Sequence, residues 1–263
     1  MKEKGKNKIG VALGGGGGRG LAHVGVLKCL EDHNISPSYI AGTSIGALVG
    51  GIYASGTSVK KIEKVIVDTD WRRVLSMLDP RFKKGLVEGK KVRKFIEKHI
   101  VADKIEDCRI PFLATATDLE TGDVVEISNG KLVNAIMASI SIPLFFRPVK
   151  RAGRILVDGG LSAPVPTKEV KNMGADIVLG VNLKNYSGEE KKDPGWYDIA
   201  NNSISILYRN LALSNMKEAD IKIDVDVKEK RWYSFTKGKS KIEEGEKVMR
   251  KKVKELKKVA NIL

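Results

Sequence analysis

The stretch Val11–Leu27, VALGGGGGRGLAHVGVL, places five consecutive glycines between two apolar runs. Because each glycine costs about 0.5–1 kcal/mol relative to alanine in regular structure, five together indicate a specific demand on the backbone. The flanking residues predict a short buried strand at Lys8–Leu13 and a helix at Gly20–His33, in which apolar residues recur about once per turn. A glycine loop between a strand and a helix N-terminus can direct backbone amides at a negative charge, and the helix dipole adds to their effect.

A second glycine motif, GTSIG at Gly42–Gly46, follows the strand YIAGT and leads into the helical stretch IGALVGGIY. A G-x-S-x-G sequence in this setting is typical of a nucleophilic serine on a sharp strand-to-helix turn, with its hydroxyl exposed at the sheet edge. We therefore predict that Ser44 is a nucleophile. The alternative is a serine that only caps the helix.

A nucleophilic serine needs a base, and the three histidines are poorly placed to supply one. The usual order in an α/β-hydrolase is serine, acid, histidine, but only His99 follows Ser44, and it lies in a charged amphipathic stretch. His23 and His33 both lie upstream, in the first predicted helix. His23 could line the site, although we expect it to have a packing or capping role.

An aspartate is better placed than any histidine. The sequence ILVDGG puts Asp158 at the end of an apolar strand, immediately before Gly159 and Gly160. Active groups of α/β sheets lie at such strand ends, and partial burial can raise the pKa of a carboxylate from about 3.9 towards that of a useful base. We predict that Asp158 is the base; a structural Asp-Gly turn is the alternative.

Attack of a serine on an ester creates a tetrahedral oxyanion, which fixed N–H groups must stabilise. The glycine loop can supply such groups, and an arginine in a first helical turn adds positive charge there although it opposes the helix dipole. The predicted oxyanion-hole residues are therefore Gly15, Gly16, Gly17, Gly18 and Arg19.

The glycine loop also allows a different interpretation. Gly15, Gly17 and Gly20 satisfy the G-x-G-x-x-G pattern of dinucleotide-binding proteins. That pattern expects an acidic residue at the end of the second strand, but the second strand here ends in AGTS. No G-K-[ST] closes the run either, which excludes a phosphate-binding P-loop. A Rossmann-type nucleotide-binding regulatory module remains the alternative from another functional class.

Length and composition predict a globular protein with one sizeable core. The chain has 263 residues, of which 42% are hydrophobic and 30% charged. The apolar run Ile45–Tyr53 is too short to cross a bilayer, and the basic N-terminus lacks the apolar stretch of a secretory leader. Cys29 and Cys108 are expected to be reduced thiols, so we expect a cytoplasmic protein.

The net charge of +15 is concentrated in two segments. Lys60–Lys98 holds 13 Lys and Arg against 6 Asp and Glu, and Lys228–Lys258 holds 13 against 5. Basic faces of this kind attract phosphates, so peripheral contact with an anionic membrane surface is one interpretation, and a solvated lysine-rich surface is the other. No nucleic-acid motif accompanies the charge, and we expect no nucleic-acid partner.

Alternating strands and helices predict a mainly parallel sheet covered on both faces. We expect one catalytic domain over residues 1–263, with a charged helical insertion near 60–100 and a basic amphipathic helix near 240–262. The segment Pro148–Gly160 predicts a hairpin that turns at Ala152–Gly153, and SGEEKKDPG at Ser187–Gly195 predicts a mobile loop.

The motifs ALGGGGGRGLAHVGVLKCLE, GTSIG, ASISIPLFFRPV and DGG occur in the order and spacing of the patatin-like phospholipases. The resemblance runs through motifs from Lys8 to Leu183 and continues more weakly into the tail. One departure is that Gly14 and Gly18 replace the more usual serine and alanine; this loosens the loop without removing an amide donor.

The resemblance implies a three-layer α/β/α sandwich with calcium-independent lipid acyl hydrolase activity, no metal and no cofactor. It makes Ser44 the nucleophile and Asp158 the base, and it places Ser139, Ser141 and Pro143 in the wall near the site. The motif glycines that it carries over are Gly20, Gly42, Gly46, Gly159 and Gly160.

Taken together, the residues and the resemblance predict a serine hydrolase acting on acyl esters of phospholipids or lysophospholipids at a membrane surface. An esterase or thioesterase for soluble acyl donors is the alternative within enzymes, because the same pair of residues would serve it.

Overall fold

The computed structural model describes residues 7–69, 89–143, 145–184, 193–228 and 234–262. The strands in these ranges are β1 (Ile9–Leu13), β2 (Tyr39–Thr43), β3 (Phe112–Asp118), β4 (Val124–Ile127), β5 (Val149–Arg151), β6 (Arg154–Asp158), β7 (Ile177–Leu183) and β8 (Ile221–Val225). The α-helices are α1 (Ala22–Asp32), α2 (Ile45–Ala54), α3 (Val59–Asp68), α4 (Lys90–His99), α5 (Leu132–Ser139), α6 (Thr167–Asn172), α7 (Trp196–Asn215) and α8 (Gly238–Val259).

The strands form one sheet in which neighbours follow the order β5-β6-β3-β2-β1-β7-β8, with β4 also paired to β3. The five strands from β3 to β8 in this order are parallel, and the pairs β3–β4, β3–β6 and β5–β6 are antiparallel. Every residue of β1, β3 and β7 is buried, as expected for central strands covered on both faces. The predicted mainly parallel sheet is thereby confirmed, with antiparallel strands added at one side.

Alternate residues of the central strands enter two separate apolar cores, which makes the fold three layers. Val11 and Leu13 belong to the core that α1, α2, α5 and α8 complete. Ala12 points to the opposite face, where its core includes Val170 of α6 and Ala212 of α7. The predicted α/β/α sandwich follows from this alternation, because strand side chains alternate between the faces of a sheet.

The register of β3 brings two strand ends together. Thr115 pairs with both Thr43 of β2 and Glu126 of β4, while the next residue of β3, Ala116, pairs with Asp158 of β6 and also with β4. Since a residue has one neighbour on each side, β4 lies along one edge of β3, and β2 and β6 share the other edge. The carboxyl ends of β2 and β6 therefore meet there.

Helices α1 and α8 cross in direct backbone contact. A Cβ on Gly25 would overlap the carbonyl of Ile242, and a Cβ on Gly245 would overlap the carbonyl of Ala22. Nearby, Lys28 Nζ lies 2.9 Å from a carboxylate oxygen of Glu246. The two glycines thus allow α8 to lie against α1, just behind the glycine loop.

The structure adds to and adjusts the sequence predictions. Helix α8 begins and ends slightly earlier than the predicted basic helix, and the hairpin of β5 and β6 turns at residues 152–153, where the sequence predicts it. Of the predicted insertion, α3 and α4 are described, whereas residues 70–88 with LDPRFKKG lie outside the described residues, as does most of the predicted loop at 187–195. Helix α7 has no counterpart among the predictions.

Candidate active site

Ser44 lies on a strained turn between β2 and α2. Its backbone has φ 54° and ψ −121°, a region that non-glycine residues rarely adopt and that occurs mainly at functional sites. The neighbouring glycine at position 46 allows the turn to approach β1, because a Cβ there would overlap the carbonyl of Leu13. The G-x-S-x-G stretch therefore adopts the sharp strand-to-helix turn that its sequence predicts.

The Ser44 hydroxyl donates a hydrogen bond of 2.6 Å to Oδ2 of Asp158. The other carboxylate oxygen, Oδ1, accepts from the backbone N–H of Gly160 at 2.8 Å. Ser44 and Asp158 are each 7% exposed. Burial raises the pKa of Asp158 to about 6, although the hydrogen bonds from Ser44 and Gly160 act in the opposite direction. The serine hydroxyl thus contacts a carboxylate more basic than an exposed one.

The end of α5 and the residues just after it fix the backbones of both residues. The hydroxyl of Ser139 accepts a hydrogen bond of 2.8 Å from the backbone N–H of Ser44. The backbone carbonyl of Ser141 accepts one of 2.9 Å from the N–H of Asp158. The family resemblance places these serines in a wall, and the structure gives them the more specific task of holding the turn and the strand end in register.

Some backbone amides of the glycine loop donate hydrogen bonds within the fold and others do not. Gly14 N–H donates to Val181 (3.0 Å) and Gly15 N–H donates to Pro164 (2.9 Å). Gly17 has φ +58°, which favours glycine. Among the described residues, no acceptor is bonded to the amides of Gly16, Gly17 or Gly18. These three amides therefore take no part in the hydrogen bonding of the described fold.

Arg19 is buried and directed at the loop's own backbone. Its Nε lies 3.2 Å from the carbonyl oxygen of Gly16, and its Nη1 lies 3.2 Å from that of Lys184. The guanidinium therefore ties the glycine loop to the end of β7.

The five motif glycines lie at close approaches, where a Cβ would overlap a neighbour. They are Gly20 against Ile45, Gly42 against Ala47, Gly46 against Leu13, Gly159 against Thr115, and Gly160 against Tyr208.

His23 supports the glycine loop from behind. It is fully buried, and its Nε2 donates a hydrogen bond of 2.7 Å to the carbonyl of Gly14. Burial lowers its pKa to about 4, although the bond to Gly14 acts in the opposite direction. No hydrogen bond joins His23, His33 or His99 to Ser44 or Asp158; His33 and His99 instead bond backbone carbonyls of their own helices.

Tyr208 is a residue of the site that sequence reasoning missed. It lies on α7, and its ring and hydroxyl reach the glycine at position 160 and the one at position 15. The spacing of Tyr208, Ala212 and Met216 along one helical face is a signal that could have predicted the helix. No local pattern could have predicted that this face covers Ser44, because the contact depends on how α7 returns to the sheet.

Two further features bear on ligands. The described residues contain no group of three or more His, Cys, Asp and Glu side chains able to hold a metal ion.

An apolar cavity lies beside α2, α3 and α4, and the residues lining it include Leu21, Ile45, Leu48, Ile52, Ile62 and Phe95. Ile45, which follows Ser44 in the chain, is one of these lining residues. No helix within the described ranges is both long and apolar enough to cross a membrane.

Comparison with known proteins identifies related sequences and folds. A family model described as patatin-like phospholipase matches residues 11–171. An uncharacterized NTE family protein of Mycobacterium tuberculosis is 34% identical over 187 residues, covering 71% of this chain and 52% of its own length. A protein named lysophospholipase NTE1, from Debaryomyces hansenii, is 33% identical over 182 residues, which are 66% of this chain and 12% of its own length. The chain thus spans about half of the mycobacterial relative and about an eighth of the fungal one.

Two solved structures share the fold at low identity. VipD from Legionella pneumophila has a TM-score of 0.57 and 13% identity, and the match covers 98% of this chain and 67% of that chain. The type III effector ExoU has a TM-score of 0.51 and 12% identity, with 95% of this chain and 53% of that chain covered.

Proposed function

The chain belongs to the patatin-like phospholipase family, and from this premise we propose that it is a serine hydrolase that cleaves fatty-acyl esters of phospholipids or lysophospholipids. The observation that carries the proposal is the 2.6 Å hydrogen bond from the hydroxyl of Ser44, on its strained turn, to the buried carboxylate of Asp158. A hydroxyl in contact with a carboxylate is the arrangement in which a serine can lose its proton as it attacks an ester.

In the proposed mechanism, Ser44 Oγ attacks the ester carbonyl carbon while its proton passes to Asp158. The carbonyl oxygen becomes an oxyanion, which accepts hydrogen bonds from the amides of Gly16, Gly17 and Gly18. Collapse of this intermediate breaks the carbon–oxygen bond to the alcohol, which leaves with the proton from Asp158. Water then attacks the acyl-serine, gives its proton to Asp158, and the fatty acid is released as Ser44 regains a proton.

The environment of Asp158 supports its role as base. With a pKa of about 6, the carboxylate is ionised at neutral pH and yet takes up a proton more readily than an exposed aspartate. The Gly160 amide holds one oxygen, so the other faces Ser44. We propose that this pair works without a histidine.

We propose that the fatty-acyl chain packs against the apolar residues that line the cavity beside Ile45; at about 30 Å³ the cavity itself is too small to hold the chain. The fungal relative is named a lysophospholipase, and this supports lysophospholipids as substrates to test first. A thioesterase or soluble-ester hydrolase would use the same pair of residues. The family assignment favours a hydrolase over the nucleotide-binding module.

We further propose a single catalytic domain and a cytoplasmic protein that contacts anionic membranes peripherally, with no nucleic-acid partner. Helix α7 supports membrane contact because it carries large apolar side chains in water. They are Trp196 (82% exposed), Ile199, Ile204, Ile206, Leu207 (69% exposed) and Leu213. Exposed apolar helices of this kind lie at the lipid–water boundary, and the net charge of +15 favours anionic lipid.

A fluorophosphonate probe tests the proposal directly, because it labels an activated serine without needing the right substrate. We expect wild-type protein to be labelled at Ser44, and Ser44→Ala to be unlabelled and to lose hydrolysis of lysophosphatidylcholine. Ser203→Ala, which changes an exposed serine of α7, is the matched control. Wild-type protein that is not labelled would overturn the proposal that the chain is a serine hydrolase. Labelled protein that cleaves only short nitrophenyl esters or thioesters would support the soluble-donor alternative.

A further inference from the structure

The hydroxyl of Tyr208 is buried and unpaired at the candidate site. It has almost no solvent contact and no hydrogen-bond partner among the described residues. Buried hydroxyl groups are nearly always bonded, so each exception requires an explanation. A functional explanation is that its acceptor arrives with a ligand.

The surroundings of the hydroxyl indicate where that acceptor would lie. A Cβ placed on Gly15 would lie 2.5 Å from the Tyr208 hydroxyl oxygen and 3.3 Å from Ser44 Cβ. A Cβ placed on Gly160 would lie 2.6 Å from the tyrosine ring and 3.0 Å from Oδ1 of Asp158. The ring therefore lies close to the base, and the hydroxyl lies beside Gly15 in the neighbourhood of Ser44.

Tyr208 is held firmly in this place. Its ring packs, together with Ala212 and Met216, against the core that includes Ala12 of β1 and Val165. The last residue of α7, Asn215, accepts hydrogen bonds from the Thr167 hydroxyl through its carbonyl and from the Val165 amide through its side chain. The half of α7 that carries Tyr208 is thus anchored, in contrast to the exposed apolar residues towards its start.

We propose that Tyr208 is a third catalytic side chain, whose hydroxyl donates a hydrogen bond to the oxygen of the reacting ester that becomes the oxyanion. The inference rests on the proposed function, since it requires an ester reacting at Ser44. No proton leaves the tyrosine in this role: burial raises the pKa of Tyr208, with the charge of Asp158 acting in the same direction and that of Arg19 against it. The group remains a donor throughout the reaction.

A competing role would be steric. If the ring only blocked the site until α7 moved, loss of the hydroxyl would leave turnover unchanged, and loss of the ring would raise it. The donor role requires the opposite, because a donor positioned for the oxyanion acts most strongly on the transition state.

Tyr208→Phe separates the two roles, with Tyr39→Phe as the matched control. Tyr39 packs against the same core but lies at the far end of β2, away from Ser44. For Tyr208→Phe we expect kcat on lysophosphatidylcholine to fall about 10²-fold, as for other oxyanion donors, with KM nearly unchanged. Phosphonylation of Ser44 should slow in parallel. Because the hydroxyl is unpaired, the melting temperature should not fall below that of the wild type.

Three results would overturn the proposal in distinguishable ways. Wild-type kcat and phosphonylation in Tyr208→Phe would exclude the donor while leaving the proposed function intact. A faster Tyr208→Phe or Tyr208→Ala enzyme would establish the steric role instead. Wild-type protein that reacts with neither ester nor phosphonate would exclude the proposed function, and the tyrosine's catalytic role with it.

Discussion

The hydroxyl of Ser44 reaches the carboxylate of Asp158 because β2 and β6 end at consecutive residues along the same edge of β3. One strand arrives parallel to β3 and the other antiparallel, so their carboxyl ends face each other. Asp158 is the last residue of β6 and Ser44 is the first residue after β2, so the two side chains are neighbours at this edge. The geometry of the pair is thus a property of sheet register, and disturbing either strand end should affect catalysis.

Replacing the base should affect turnover far more than replacing a histidine. Asp158→Asn keeps the size of the side chain and removes the proton acceptor, so we expect kcat to fall by about 10²–10⁴-fold. His99→Gln should remain much closer to wild type, since the imidazole of His99 bonds a carbonyl of its own helix and neither Ser44 nor Asp158. His23→Gln should lose an intermediate amount, because His23 holds the Gly14 carbonyl. Steady-state kinetics on one ester decide this: a His99→Gln enzyme as slow as Asp158→Asn would refute the two-residue mechanism.

The rate should depend on pH through the base. Burial holds the pKa of Asp158 at about 6, and only the ionised carboxylate can accept the proton from Ser44. We therefore expect kcat/KM to be constant above that pH and to fall tenfold per pH unit below it, since kcat/KM reports groups of the free enzyme. A limb near pH 4 would show that the carboxylate titrates like an exposed one.

Alanine substitutions at Ser139 and Ser141 should have very different effects on stability and kcat, although the two residues are only two positions apart. Ser139→Ala removes the acceptor for the Ser44 amide, so we expect the free energy of unfolding to fall by about 1–3 kcal/mol together with a lower kcat. Ser141→Ala removes only a hydroxyl that bonds the carbonyl of Met137. The backbone carbonyl that accepts from Asp158 is retained. Denaturant unfolding and kinetics on both variants check this. Equal losses in kcat would contradict the distinction.

His23 should make the protein less stable in acid. Its folded pKa of about 4 lies below the ordinary 6.5, so the unfolded state binds the proton first and stability falls as pH drops from 6.5 to 4. Between pH 7 and pH 5 the loss should be about 2 kcal/mol. Asp158 acts in the opposite sense, because its raised pKa favours the folded state as pH falls through 6.

Comparison with His23→Gln isolates this contribution. Urea titrations at both pH values should show that the variant loses about 2 kcal/mol less than wild type on acidification. An identical pH dependence in the two proteins would mean that His23 is not kept neutral by burial.

The apolar side chains of α7 should matter only on lipid surfaces. Leu207→Gln removes an apolar contact with a membrane while leaving the inner face of the helix intact. We expect weaker sedimentation with anionic vesicles and slower hydrolysis of vesicle lipid, with unchanged turnover of a soluble ester. Val101→Gln, at another exposed apolar residue, is the control. Binding should also weaken as salt rises, since each Lys or Arg near an anionic surface contributes about 1 kcal/mol. Equal vesicle binding by all three proteins at every salt concentration would exclude α7 as the contact.

Much of the fold could be predicted because its signals are local. The apolar runs of β1 and β7 are continuous, as buried parallel strands require, and Ala152–Gly153 marks its hairpin by turn chemistry alone. The 3₁₀ turn at Gly17–Leu21 precedes α1 and starts earlier than the helix predicted at Gly20. The loop glycines form this 3₁₀ turn before the α-helical hydrogen bonds begin. Helix propensity and apolar spacing do not predict such a turn.

The candidate site could be predicted only in part. The residue types at Ser44 and Asp158 are recognisable from their strand ends, but their contact depends on two strands sharing one edge of β3. Which loop amides lack an acceptor also depends on tertiary contacts, because the N–H of Gly15 donates to the carbonyl of Pro164, which is far away in the sequence. Tyr208 was missed since α7 has few charged residues to contrast with its apolar ones, and many of those apolar residues are exposed.

The crossing of α1 and α8 has a consequence for the order in which activity arises during synthesis. The carbonyl of Ser234, just before α8, lies where a Cβ on Gly18 would be. The chain leading into α8 therefore packs against the glycine loop, although it is synthesised long after Ser44. At about 5–20 residues per second, the interval between Ser44 and α8 is on the order of 10–40 s. We expect a nascent chain to carry its nucleophile through this interval without a supported loop, and so to gain hydrolase activity only when α8 packs against α1.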